Sequence, residues 1–183
     1  MLKTVLNRIH SSQKPLIFAI DGPCGAGKST LAAEIAAAID CNIIRADDFF
    51  LPPEAPRGDI NCNIARLESA LKELSAARGN EQVTYGRYDC RSGQTVDITV
   101  TPKPVTVVEG AYCACPDLRR YYGFFVFLDI PGQKQSERLK LRNPRMYDRF
   151  VTEWIPLEDA YFEKYGIREM AKQQPNLYFK YKI

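Results

Sequence analysis

Histidine is almost missing from this sequence: His10 is the single one. A zinc site of mixed cysteine and histidine ligands is therefore not expected. Cys113 and Cys115 are close together, but no second close cysteine pair completes a set of four ligands. Long apolar runs are missing too. None approaches the roughly 20 residues that span a bilayer. Met1 to His10 lacks the continuous apolar stretch of a signal peptide. A cytoplasmic protein with no membrane partner is expected. The six cysteines are irregularly spaced and read as reduced thiols rather than a disulfide framework. Charge of one sign is scarce as well: 25 basic against 22 acidic residues leave a net +3. That supplies no basic stripe for nucleic acid, and no nucleic-acid partner is expected. Repeats, low-complexity tracts and linkers are absent, so residues 1–183 are expected to form one domain.

What is there alternates between buried strands and helices. Leu16 to Ile20, Val105 to Val108 and Phe124 to Leu128 are short apolar runs that read as buried strands. Asn42 to Arg45 reads as a further short strand, and Tyr178 to Tyr181 as a final one. Leu31 to Ile39 is dense in alanine, leucine and isoleucine and predicts a packed helix. Ile64, Leu67, Leu71 and Leu74 recur at helical spacing, which predicts an amphipathic helix over about 61–78. The proline-rich stretch from Asp47 to Asp59 predicts a loop without regular structure. Gln94 to Val100 alternates as a half-exposed strand, one arm of a small hairpin. Gln133 to Arg142 predicts a basic helix. Residues 149–165 predict another, interrupted by Pro156. The expected fold class is α/β, with a central parallel sheet covered by helices on both faces.

Between the first strand and the first packed helix lies Gly22-Pro23-Cys24-Gly25-Ala26-Gly27-Lys28-Ser29. It fits the phosphate-binding pattern G-x-x-x-x-G-K-[ST], in the strand-loop-helix setting that pattern needs. Glycines let successive backbone N–H groups turn inward around a phosphate. The start of the following helix points its positive end at the same place. Lys28 reaches the β- and γ-phosphates, and the Ser29 hydroxyl ligates Mg²⁺. The cofactors expected are thus ATP and Mg²⁺, with Gly22 through Thr30 as the nucleotide-binding residues. Asp47 and Asp48 follow the second strand, at the sheet edge that carries the loop. A carboxylate there accepts a hydroxyl proton or holds Mg²⁺ through water, or one of the pair simply caps a turn or helix. Glu109 ends a buried strand where an acid helps hold Mg²⁺. Arg138 and Arg142, four apart, share a helix face and suit closure over a γ-phosphate. Five basic residues cluster there: Arg138, Lys140, Arg142, Arg145 and Arg149.

Together these segments resemble the uridine kinase family of P-loop kinases, which includes phosphoribulokinase and pantothenate kinase relatives. The likeness covers about residues 16 to 165. Asp47-Asp48-Phe49-Phe50 resembles the family's Asp-x-Phe-Tyr segment and implies Asp47 as catalytic base. Arg57-Gly58-Asp59 resembles the loop whose aspartate holds the ribose hydroxyls. Tyr88-Asp89 resembles a Tyr-Asp-Phe stretch by the acceptor pocket. Val108-Glu109-Gly110 resembles the Glu-Gly segment after a strand. Glu137 to Asn143 resembles the lid helix, here about 133–145, whose arginines close over phosphates. Trp154 to Glu158 is similar to bacterial uridine kinase-like members.

The resemblance implies a three-layer α/β/α P-loop fold with a helical lid. It implies phosphoryl transfer from ATP to a small-molecule acceptor, the 5′-hydroxyl of uridine or cytidine. Asp59 would hold the sugar, and Tyr88, Asp89 and Tyr112 would lie by the acceptor. For Tyr88 and Tyr112, stacking by the base and filling the core both remain open. Two departures stand out. The histidine that follows Tyr-Asp-Phe in the family is missing, and Asn143 stands where Arg-Asp is usual. Two other expectations stay open: a kinase for another alcohol, such as a sugar or pantothenate-like acceptor, and a regulatory nucleotide-binding module without catalysis.

Overall fold

The computed structural model describes the chain apart from residues 53, 56, 57, 59, 90, 91, 175, 176 and 181–183. In chain order its elements open with α1 (Leu2–His10), β1 (Leu16–Asp21), α2 (Lys28–Ala38), β2 (Asn42–Arg45) and α3 (Ile64–Ala76). A hairpin follows, β3 (Val83–Asp89) and β4 (Gln94–Val100), and then β5 (Val105–Glu109) and β6 (Phe124–Asp129). The chain continues through α4 (Gly132–Arg142), the short α5 (Tyr147–Arg149), α6 (Ile155–Lys164), α7 (Ile167–Lys172) and β7 (Tyr178–Lys180).

Five strands form one sheet in the order β2-β5-β1-β6-β7, every neighbouring pair parallel. Both faces are covered, so its central strands are apolar without alternation: β1, β5 and β6 are buried almost throughout. Successive side chains of β1 still part to opposite faces. Leu16, Phe18 and Ile20 pack with Val5 and Ile9 of α1 and with Leu31 and Ile35 of α2. Ile17 and Ala19 face Leu67 and Leu71 of α3, Tyr161 and Phe162 of α6, and Ile167 of α7. The hairpin β3–β4 is a separate antiparallel pair, joined to the body where Tyr85 stacks on Phe49 at 5.2 Å.

Two local expectations are corrected. The stretch after Arg45 does not begin as irregular loop: Ala46–Phe49 wind into a 3-10 turn. The first proline comes only at Pro52 and leaves that turn its backbone donors. The helix foreseen over 149–165 is broken earlier than Pro156. A π turn at Phe150–Trp154 precedes α6, and Pro156 sits in the first turn of α6, where its missing N–H costs nothing.

Candidate nucleotide and acceptor site

Parallel strands deliver their C-terminal ends to one sheet edge. There β1 pairs Ile20 with Glu109 of β5, and β2 pairs Arg45 with the same Glu109. The segments that leave these strands therefore meet. Gly22 turns out of β1 at φ +143°, and a Cβ there would lie 2.1 Å from the Leu128 carbonyl oxygen. Only glycine lets the loop begin so close to β6. The loop ends at Gly27, and no side chain caps the start of α2, which leaves its first amides for an anion. Lys28 folds over the loop, donating from Nζ to the carbonyls of Gly22 at 2.7 Å and Pro23 at 3.0 Å.

Three buried groups that sequence reasoning did not single out hold this loop. Asp21, wholly buried, accepts from the Gly22 N–H at 2.6 Å, the Ala114 N–H at 2.7 Å and the Tyr161 hydroxyl at 2.8 Å. Burial pushes its carboxyl above the usual range, and these donors oppose that shift. Glu158, buried on α6, accepts from the Cys24 N–H at 2.8 Å, and burial raises its carboxyl too. Gln135 of α4 donates from Nε2 to the Cys24 carbonyl at 2.9 Å. Desolvation and the neighbouring Glu158 push the Cys24 thiol up to about 12, so it stays protonated at neutral pH.

The expected site residues fall into groups. Lys28, Ser29, Asp47, Glu109, Tyr112 and Arg142 line one cleft of about 150 Å³. Ser29 Oγ donates to Glu109 Oε2 at 3.2 Å, and Arg45 lies 3.7 Å from the other oxygen. Burial raises Glu109, Asp47 raises it further, and Lys28, Ser29 and Arg45 oppose them. Asp47 is open to the cleft but sits deep between its walls. Desolvation there raises its carboxyl, opposed by Lys28, Arg142 and Arg45. Its neighbour Asp48 is not part of that lining and instead accepts from the Tyr85 hydroxyl at 3.3 Å, tying down the hairpin. Tyr112 has φ +74°, a strained value for a tyrosine, and packs edge-on against Tyr161 at 5.1 Å while lining the cleft. Tyr88 and Asp89 lie at the end of β3, outside that lining. Asp59 lies outside the described residues.

The arginines of α4 are at different distances from this cleft. Arg138 donates from Nη1 to the Gly25 carbonyl at 2.9 Å, on the outer side of the loop. Arg142 rests its guanidinium over the Phe150 ring at 5.7 Å and reaches into the cleft. Phe150 and Trp154 meet edge-on at 4.6 Å, and with Phe50 they form apolar cleft walls that the sequence reading missed. Beyond the loop a second cavity of about 940 Å³ opens between Ala26, Leu128, Leu139 and Phe179.

Ser29, Glu109 and Asp47 are hard oxygen donors of the kind Mg²⁺ takes. Among the described residues, no cluster of three or more histidine, cysteine, aspartate or glutamate side chains forms a metal cage. One or two carboxylates beside phosphate oxygens are the usual Mg²⁺ setting, so the donor set fits. No helix among the described residues is long and apolar enough to cross a membrane.

This is the three-layer α/β/α fold of P-loop NTPases, with the phosphate loop at the edge where the strands end. No protein-family model and no curated protein matches the sequence. Among solved structures, the chain is similar to a possible uridine kinase from Bacillus stearothermophilus. The TM-score is 0.61 at 19% identity, over 83% of this chain and 90% of that one. It is also similar to TT1252 from Thermus thermophilus, with TM-score 0.49 and 15% identity over 93% and 91% of the two chains. Deoxyadenosine kinase from M. mycoides with bound dATP follows, at TM-score 0.38 and 16% identity over 91% and 90%. At such identities the first likeness supports the fold and goes no further.

Proposed function

We propose that this protein is an ATP-dependent small-molecule kinase whose acceptor is a nucleoside, uridine or cytidine, phosphorylated at its 5′-hydroxyl. One observation carries the reading: Asp47, a carboxylate with no ion pair among the described residues, lines the same small cleft as Lys28 and the Ser29–Glu109 pair. A phosphate sensor needs the loop and the metal-binding acid. It has no use for a further carboxylate beside the transferred group.

The donor phosphates lie in the loop Gly22–Thr30, with their oxygens on its backbone N–H groups and on Lys28. The donor base takes the larger cavity beside Leu139 and Phe179. Ser29 and Glu109 would hold Mg²⁺, which would offset phosphate charge when bound. Asp47 accepts the proton of the attacking hydroxyl and orients its oxygen. Arg142, and Arg138 after release from the Gly25 carbonyl, supply donors to the transferred phosphoryl group. Helix α4 and the turns after it act as the lid, and residues 1–183 work as one kinase domain in the cytoplasm. Asp59, Tyr88 and Asp89 are assigned to the acceptor side on the motif resemblance alone.

The test is acceptor-dependent release of ADP across a panel of nucleosides and small alcohols. Stimulation by uridine or cytidine is expected. Stimulation only by a sugar or a pantothenate-like alcohol would move the acceptor assignment. Stimulation by none, with ATP still bound, would favour a regulatory nucleotide-binding module.

A further inference from the structure

Asn61 is only 7% exposed, lines the cleft, and has a side-chain oxygen with no hydrogen-bond partner. Buried amide oxygens are nearly always paired, because one removed from water without a partner loses hydration and regains nothing. Asn61 is also held firmly. Phe50 and Cys62 form a β-bridge, and the Asn63 N–H donates to the Phe49 carbonyl at 2.7 Å. The chain therefore fixes, beside the cleft, a carboxamide whose oxygen is unpaired. A carboxamide offers a donor and an acceptor side by side, in either orientation of its oxygen and nitrogen.

The surroundings narrow what it meets. Phe50, Phe150 and Trp154 provide flat apolar walls. Aromatic walls with a few placed polar groups are the usual lining of a small-molecule pocket. The charges narrow it further. Asp47, Glu109 and Glu158 all line the cleft, against Lys28 and Arg142 on its phosphate side. An acceptor that brings its own carboxylate meets three of the same sign.

We propose that Asn61 is the specificity-determining residue of the acceptor site, pairing its carboxamide with the amide-like edge of an uncharged planar heterocycle. The acceptor class that follows is a nucleoside with a free hydroxyl, not a carboxylate-bearing alcohol and not a bare sugar. This inference rests on the kinase reading for its reaction, but its recognition claim is testable by binding alone.

The probes are uridine, cytidine, D-ribose and pantothenate, each titrated into the full chain and its Asn61→Ala and Asn61→Asp variants. Uridine or cytidine is expected to bind the wild-type chain more tightly than ribose or pantothenate. Asn61→Ala weakens that nucleoside about 3–10-fold, the loss of one neutral hydrogen bond. The affinity for ATP·Mg²⁺ is expected to change less than that for the nucleoside, because the donor phosphates are assigned to the Gly22–Thr30 loop and not to Asn61. If Asn61→Ala does not fold, Asn61→Asp keeps the side-chain shape and carries the comparison, again with weaker nucleoside binding. Unchanged nucleoside affinity in the folded variant overturns the proposal. So does tighter binding of pantothenate or ribose, or no nucleoside binding at all. A chain that binds nucleoside through Asn61 yet releases no ADP sustains this inference and refutes the kinase reading. ADP release that is indifferent to Asn61 does the reverse.

Discussion

Deleting one oxygen, by Tyr161→Phe, tests whether the phosphate loop is held from behind by a buried carboxylate. Tyr161 and Asp21 are both wholly buried, and the hydroxyl donates to Asp21 Oδ2 at 2.8 Å. A hydrogen bond to a charged group contributes about 1.5–3 kcal/mol net. No water reaches the site to replace it, while the Gly22 and Ala114 amides still hold Asp21. The expected loss is therefore about 1.5–3 kcal/mol. At about 2–4 °C per kcal/mol for a chain of this size, Tm falls by about 3–12 °C. The pH dependence adds a second check. Burial already holds the Asp21 carboxyl above its ordinary value, and the lost donor was one of the groups opposing that shift. A carboxyl whose folded value is raised takes up a proton on folding. Its ionisation costs stability as pH rises from its unfolded value, about 4, through the folded one. The variant's deficit should then be smaller at acidic pH than at pH 8. Urea unfolding followed by circular dichroism at several pH values measures both effects. A loss below about 0.5 kcal/mol at every pH, with an unchanged urea dependence, would refute the idea that Asp21 is held as a charged anchor.

Lys28→Ala should abolish ATP binding measured by calorimetry, because the Lys28 ammonium is held over the loop at the Gly22 and Pro23 carbonyls; an unchanged affinity sinks the phosphate-site assignment. Asp47→Asn should cut turnover about 10²–10⁴-fold while ATP still binds, the range of general-base contributions. The wild-type rate should rise with pH through an acid limb above the ordinary aspartate range, since Asp47 must be ionised to act and its carboxyl is raised by desolvation. That limb should vanish in the asparagine variant, and its persistence would assign it to another group. Gly22→Ala should cost about 3 kcal/mol or more, because its Cβ meets the Leu128 carbonyl at 2.1 Å and its φ of +143° suits glycine alone. Chemical denaturation reads that loss, and a Tm within a degree of wild type would show that β1 and β6 separate freely there.

Helix and strand positions were legible wherever burial leaves a local trace. β2 runs over Asn42–Arg45 as the apolar pattern predicts, and β5 and β6 each extend one residue beyond their predicted runs, to Glu109 and Asp129. Helix α7 was missed because six residues, Ile167–Lys172, span less than two turns and show no periodicity. β3 was missed because Gly86 and Arg87 interrupt the apolar signal of a strand whose one buried face is Val83 and Tyr85. The loop was readable for a different reason. Its glycines, lysine and serine act through backbone geometry, and backbone geometry is a property of consecutive residues.

The remainder of the site is assembled across the chain and leaves no such trace. Asp21 ends an apolar strand, which is a visible oddity, but two of its donors lie 93 and 140 residues away. Glu158 reaches the Cys24 amide over 134 residues. Asn61 sits in an unremarkable stretch, and only the fold brings it to the cleft that Tyr112, Phe150 and Trp154 also line. On the proposed reading, phosphate recognition rests mainly on one short segment, whereas recognition of the acceptor is distributed over several. That difference has a consequence for substitution. A change in Gly22–Ser29 strikes donor binding whatever the acceptor. On the proposed reading, a change at Asn61 should instead shift which acceptor is taken.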